Sequence, residues 1–116
     1  MSSFPVTSRQ GSEVIEGVKT DFHISNYSDR TLVVVTQTGK PGTFIHVQRD
    51  SSSGRNGLSI NVLVGKRDDV TMVYARQIAE VMHKRSQKPV LIALCVLNDS
   101  PVVFKKVLQN LETLSA

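Results

Sequence analysis

Val90-Leu91-Ile92-Ala93-Leu94-Cys95-Val96-Leu97 is apolar at every position. The run is far short of the roughly 20 residues that cross a bilayer, and its length suits a strand. A half-buried strand alternates apolar with polar residues. One that is apolar on both sides wants cover on both faces of its sheet. Thr31-Leu32-Val33-Val34-Val35-Thr36-Gln37 is a second stretch of the same kind, β-branched and nearly continuous. Together the two stretches call for a sheet with material above and below its centre.

The residues around them supply the rest of that sheet. Val18, Thr20, Phe22 and Ile24 alternate with Lys19, Asp21, His23 and Ser25, a period of two. A weaker strand spans roughly Val6 to Glu16, with Gly11 as a candidate bulge. Glu16-Gly17 can turn between the two. Asn26 to Asp29 is a polar turn, and Thr38 to Gly42, with two glycines and Pro41, is another. Thr43 to Gln48 reads as a fourth strand, and Leu58, Ile60, Val62 and Val64 as a fifth. Asp50-Ser51-Ser52-Ser53-Gly54-Arg55-Asn56-Gly57 is too polar to pack and is expected to be a mobile hairpin loop.

After Gly65 the period becomes helical. Asp68 or Asp69 can cap a helix whose stripe is Val70, Val73, Tyr74, Gln77, Ile78, Val81 and Met82. His83, Lys84 and Arg85 suit its C-terminal dipole, and Pro89 lies beyond its stop. Ser100-Pro101 caps a second helix, with Val103 or Phe104, Val107, Leu108, Leu111 and Leu114 as its stripe. The expected fold class is α+β: a six-stranded, mainly antiparallel sheet with two helices, five strands first, then helix, strand, helix. Short turns make the early strands antiparallel. The fifth strand, first helix and sixth strand form a right-handed crossover if those two strands are parallel.

At 116 residues, 40% apolar and 21% charged, the chain is expected to be one domain, residues 1–116, with one core. No secretory leader is expected at Met1-Ser2-Ser3-Phe4-Pro5, and no membrane span. With one cysteine, Cys95, no disulfide can form within the chain. A reducing compartment is expected, such as the cytoplasm or the nucleus. The net charge of +4 comes from 14 basic and 10 acidic residues, spread rather than clustered. An acidic protein surface fits that charge at least as well as a polynucleotide does.

Two helices suffice for one face of a six-stranded sheet. The other face needs its own cover: the sheet folding over itself as a sandwich, or a second subunit. A subunit burying ~500–800 Å² per partner would make an interface of ordinary size.

Leu32-Val33-Val34-Val35-Thr36-Gln37, followed by Gly39-Lys40 and Gly42-Thr43, resembles the middle of the proteasome assembly chaperone 3 family. Other matching pieces stand in the same order: Ser8-Arg9-Gln10, Glu13-Val14, Gly17-Val18, Val62-Leu63-Val64-Gly65, Val73-Tyr74-Ala75-Arg76 and Val90 to Val96. The resemblance covers nearly the whole chain. It implies a non-catalytic chaperone that pairs with a second small chaperone of similar fold, proteasome assembly chaperone 4. It further implies binding to alpha-type subunits of the 20S core particle, notably the fifth, so that the alpha ring forms in order, and departure as beta subunits arrive. Neither nucleotide nor metal is implied, and no cofactor. A homodimer in isolation is compatible with an exposed apolar sheet. The candidate dimer interface is the sheet face carrying Phe22, Ile24, Val33 and Val35. The candidate partner-contact loop residues are Lys40, Arg49 and Arg55.

Other constellations read as ordinary structure. Cys95 among Leu94, Val96 and Leu97 is a buried, inert thiol without a nearby base. His23, His46 and His83 lie in different elements without metal-ligand spacing. Gly39-Lys40 and Gly65-Lys66-Arg67 lack the spacing of a phosphate loop. Glu13 with Glu16, and Asp68 with Asp69, are explained by solubility and capping. Lys40, Arg49, Arg55, Lys66 and Arg67 sit near loops, as a solvated rim or a patch for an acidic protein surface. The alternative function is a small basic nucleic-acid-binding domain, weakened by having only four Phe and two Tyr. A hydrolase is a more distant alternative, with no nucleophile–base motif in view.

Overall fold

The computed structural model describes residues 7–37, 42–49, 58–65, 69–84, 88–96 and 100–115, without the side chains of Arg49 and Leu58. These residues form β1 (Thr7–Ile15), β2 (Val18–Asn26), β3 (Thr31–Thr36), β4 (Thr43–Arg49) and β5 (Leu58–Val64). Helix α1 (Asp69–His83), β6 (Val90–Cys95) and α2 (Pro101–Ser115) follow. All six strands share one sheet in the order β1-β2-β3-β6-β4-β5. The expected α+β layout is what the chain adopts.

The interior of the sheet holds the difference from expectation. β3 and β4 run antiparallel but are not neighbours, because β6 lies between them, parallel to β3 and antiparallel to β4. β3 and β4 therefore stand two strand spacings apart, about 9–10 Å, and are not the paired strands of a hairpin. The reason lies in the side chains of β6. Val90, Ile92, Ala93 and Leu94 are buried, and a strand with no polar face is most stable away from the edges. β5 and β6 are parallel, as the crossover requires, with β4 between them.

The β1–β2 hairpin is regular. Ile15 pairs with Val18 across a two-residue turn, with Glu16 at φ 51° and Gly17 at φ 80°. Both central residues are left-handed, the geometry whose twist matches a hairpin. Gly11 is not a bulge: it sits in register opposite Phe22, beneath Leu114 of α2. The bulge is instead on β5. Val64 pairs with Phe44 and Val62 with Ile45, leaving Leu63 as the extra residue.

Both helices lie on one face. α1 packs on β4, β5 and β6, and α2 on β1 and β2. Ile78, Ala79 and Met82 from α1 and Val103, Val107 and Leu111 from α2 are buried against the sheet. The Ser100 hydroxyl accepts from the Val103 N–H at 3.3 Å, the cap expected at the start of α2. Tyr74 and Phe104 stack between the helices, centroids 3.5 Å apart and planes within 7°. Lys84 pairs with Glu112 at 2.8 Å on their exposed side, a contact of small energetic weight. The His83 ring Nε2 donates to the Lys88 carbonyl at 3.0 Å, and Lys88 Nζ donates to the Tyr27 carbonyl at 2.6 Å. The first bond ties the end of α1 to the entry of β6, and the second ties that entry to the β2–β3 turn.

Gly42 sits where β4 begins beside β6. Its φ is +68°, and a Cβ there would stand 2.5 Å from the Leu94 carbonyl oxygen and 2.6 Å from the Cys95 Cβ. Gly42→Ala combines left-handed strain with a backbone clash. It should cost roughly 2–3 kcal/mol of stability, read as a lower urea midpoint with an unchanged slope.

Candidate functional site

Strand pairing sorts the side chains into two faces. Phe22 is opposite Val35, Ile24 opposite Val33, Val33 beside Ile92 and Ile45 opposite Ile92. These residues form the helix-covered face. Phe22, Ile24, Val33 and Val35 are at most 2% exposed and belong to the core cluster with Ile78, Val107 and Leu111. The candidate interface residues are thus brought together, but beneath their own helices, where no second subunit can reach them. The face open to a partner is the opposite one.

Among the described residues, no helix packs on that face. His23 is opposite Val34, and Val34 is beside Ala93. Ala93 is opposite Phe44, and Phe44 is opposite Val64. Ser25, Leu32, Leu91, His46 and Asn61 make a second row across the same face. Leu32, Val34, Leu91 and Phe44 are half-buried by their neighbours in the sheet, and Val64 is 61% exposed. The result is an apolar stripe over β3, β6, β4 and the end of β5. Beside it, β1 and β2 supply Gln10, Ser12, Asp21 and His23, which with Val34 and Thr36 line a shallow depression. An apolar centre bordered by polar groups is the anatomy of a protein interface.

The polar side is organised by hydrogen bonds. Ser25 Oγ lies 2.8 Å from His23 Nε2 and 3.1 Å from Ser8 Oγ, so the buried hydroxyl is satisfied from two sides. The Arg30 guanidinium beside Asp29 holds that carboxyl below the usual carboxylate range, in the exposed β2–β3 turn away from the stripe. Among the described residues of the open face, Lys19 is the one Lys or Arg, and the rings are Phe44 and the separated imidazoles of His23 and His46. That gives little to a nucleic-acid platform, which needs stacking rings and a track of positive charge.

Cys95 is half-buried rather than buried. It pairs with Thr36 on the uncovered face, and two helices leave that side of β6 without a roof. His23 and His46 stand on the open face, on β2 and β4, with β3 and β6 between them. His83 is on α1. No group of three or more His, Cys, Asp or Glu residues gathers as a metal site among the described residues. No helix of the described residues is long and apolar enough to cross a membrane. Lys40 and Arg55, the side chain of Arg49, and the loop expected over Asp50 to Gly57 lie outside the described residues, as do Lys66 and Arg67.

The sequence did hold a signal for the open face. β2 has one polar parity, Lys19, Asp21, His23 and Ser25. A strand with one polar side turns its apolar side to the fully roofed core. Register with β2 then assigns Val33 and Val35 to the core, and Leu32 and Val34 to the open face.

Comparison with known proteins bears on what such a face is for. A profile of the family described as Proteasome assembly chaperone 3 matches residues 33–114. The proteasome assembly chaperone 3 of Nematostella vectensis is 38% identical over 97% of this chain and 90% of its own length. Those of Bos taurus and Homo sapiens are 34% and 33% identical, each over 82% of this chain and 81% of their own length. The chain belongs to the proteasome assembly chaperone 3 family. A solved chain from the crystal structure of a novel chaperone complex for yeast 20S proteasome assembly superposes with a TM-score of 0.75. The match covers 95% of this chain and 99% of that one at 14% identity, a likeness of fold. The family resemblance carried by Leu32 to Thr43 and by Val90 to Val96 falls largely on β3 and β6, the two strands at the sheet centre.

Charge substitutions separate the faces of this family member. Val35→Asp buries a carboxylate in the core and should cost at least about 3–4 kcal/mol, leaving the chain largely unfolded at ambient temperature. Val34→Asp, one residue away, should stay within about 1 kcal/mol of the parent chain in thermal unfolding.

Proposed function

We propose that this chain is one half of a two-subunit chaperone for assembly of the 20S proteasome. Its open sheet face seats a second small chaperone of like fold, similar to proteasome assembly chaperone 4. The observation that supports the reading is the stripe of half-buried Leu32, Val34, Phe44 and Leu91 and exposed Val64, in the middle of a sheet face on which no helix of the described residues packs. Burying an aliphatic or aromatic side chain fully yields ~1.5–3 kcal/mol, and part of that is already gained in the single chain. Roughly 5 kcal/mol of gross stabilisation is therefore left for a partner to supply, before association entropy is subtracted. The family name and the complex named for the yeast structure support the same reading.

The pair would bind an alpha-type subunit of the core particle and bias which neighbour docks beside it. Coverage of exposed apolar surface suppresses wrong pairing, and release requires only that an incoming subunit compete for the same surface. No chemical step is involved, so the chain acts without catalysis or cofactor. Lys40, Arg49 and Arg55 are the proposed contacts to the alpha-type subunit, through charge matching with an acidic surface.

The test is affinity purification of the tagged chain from its own cells. The parent chain should bring down a similar small partner and alpha-type proteasome subunits. Val34→Asp with Leu91→Asp should lose the partner while the chain stays folded. Charge reversal at Lys40, Arg49 and Arg55 should keep the partner and weaken alpha-subunit capture. Capture of neither kind of protein by the parent chain would falsify the reading.

A further inference from the structure

Strand β1 is an edge of the sheet, and its free side has a symmetry of its own. Ile15 and Val18 flank a two-residue turn, so they form a hydrogen-bonded pair. Pair types alternate along an antiparallel ladder. Thr7, Arg9, Gly11, Glu13 and Ile15 therefore bond to β2, while the N–H and C=O groups of Ser8, Gln10, Ser12 and Val14 point to the free edge. Natural edges are usually blunted by proline, lysine, a bulge or a covering element. β1 has no proline or lysine, and its register with β2 is unbroken over all nine residues.

We propose that this edge pairs with the same edge of a second copy, antiparallel and centred on Gly11. The register follows from the sequence. A twofold axis at Gly11 places Thr7 against Ile15 of the other copy, so the whole strand is matched without overhang. Ser8 falls against Val14 and Gln10 against Ser12, the residues whose backbone groups point outward, so each such pair exchanges hydrogen bonds. Arg9 falls directly opposite Glu13, twice by symmetry, at the pair type where side chains approach most closely. Neither this registration of charge nor the match of outward groups survives a shift of one residue.

The centre of the strand suits such an approach. Gly11 raises no side chain there, and a shallow groove bordered by Arg9, Asn110, Thr113 and Leu114 lies over it. Arg9 Nη1 donates to the Leu114 carbonyl at 3.2 Å, which holds the guanidinium on the helix side of the sheet, the side that also carries Glu13. A guanidinium has five donors, so an added carboxylate is accommodated. Val14, 64% exposed, gains a neighbour in Ser8 of the second copy. This interface is isologous and separate from the open face, so two copies joined at β1 leave both open faces available to a different partner.

The experiment is sedimentation velocity over a concentration series on the full chain carrying Val34→Asp, with Leu91→Asp as a second background, so that the open face does not contribute. The expected result is a monomer–dimer equilibrium in both backgrounds. Arg9→Glu alone and Glu13→Arg alone each place like charges opposite one another and should weaken it about tenfold or more. The double exchange Arg9→Glu with Glu13→Arg should restore it, which loss of a structural contact would not. Ser12→Pro removes an outward N–H and spares the β1–β2 ladder, and should also abolish the dimer. A chain that stays monomeric throughout, or a dimer insensitive to the single charge changes, overturns the proposal. So does an edge that takes an extended segment of another protein while showing no self-association. Loss of the small chaperone partner in affinity purification bears on the open face alone, so the two readings fail independently.

Discussion

The pairing of β6 between β3 and β4 is the constraint on which the structure depends. Without it the sheet is two separate pieces, the β1-β2-β3 meander and the β4-β5 hairpin, each with two edges. β6 is the last strand in the chain, yet it takes a central place. Its neighbour β3 lies some 60 residues earlier, as the register of Thr31 with Val90 shows. A ladder of that separation closes late and at an entropic cost, so it must be well rewarded when it forms. The reward is burial: Val90, Ile92 and Leu94 meet Val33, Val35, Ile45 and Val47 in one layer.

The position of β6 also sets the asymmetry of the two faces. α1 links β5 to β6, and α2 follows β6, so both helices are delivered to the same side. Nothing remains in the described chain to cover the other side. The open face manages this by dividing its surface. Its β1–β2 half is polar, with Ser25 satisfied by His23 and Ser8. Its β3-β6-β4 half is apolar but partly shielded by neighbouring strands. A surface so divided limits the apolar area left bare and still offers a reward for cover, a balance that suits the proposed pairing with a second subunit.

Most of the architecture was legible because strand and helix periods are local. The alternation of Val18 to Ser25, the stripe of α1 and the Ser100-Pro101 cap each announce themselves within a few residues. Strand order was not legible, because a short link from β3 to β4 looks like a hairpin until the apolar demands of β6 are weighed. Gly11 reads as a bulge from the sequence because glycine inside a strand often marks one, yet its pairing with Phe22 is regular and the neighbouring Leu114 stands no closer than an ordinary contact. The existence of an uncovered face followed from having two helices for six strands. Its identity required cross-strand register, which carried Phe22, Ile24, Val33 and Val35 into the core and left Leu32, Val34, Phe44 and Leu91 outside.

Methyl NMR with a soluble paramagnetic agent, on the chain diluted to its monomeric state and again with the small chaperone partner, reads both faces at once. Strong broadening of the Leu32, Val34 and Leu91 methyls in the single chain is expected, with Val33 and Ile92 spared, and the broadening should vanish when the partner binds. Leu32, Val34 and Leu91 as sheltered as Val33 and Ile92 in the monomer, or equally broadened with and without the partner, would mean that this sheet face is not where the partner sits.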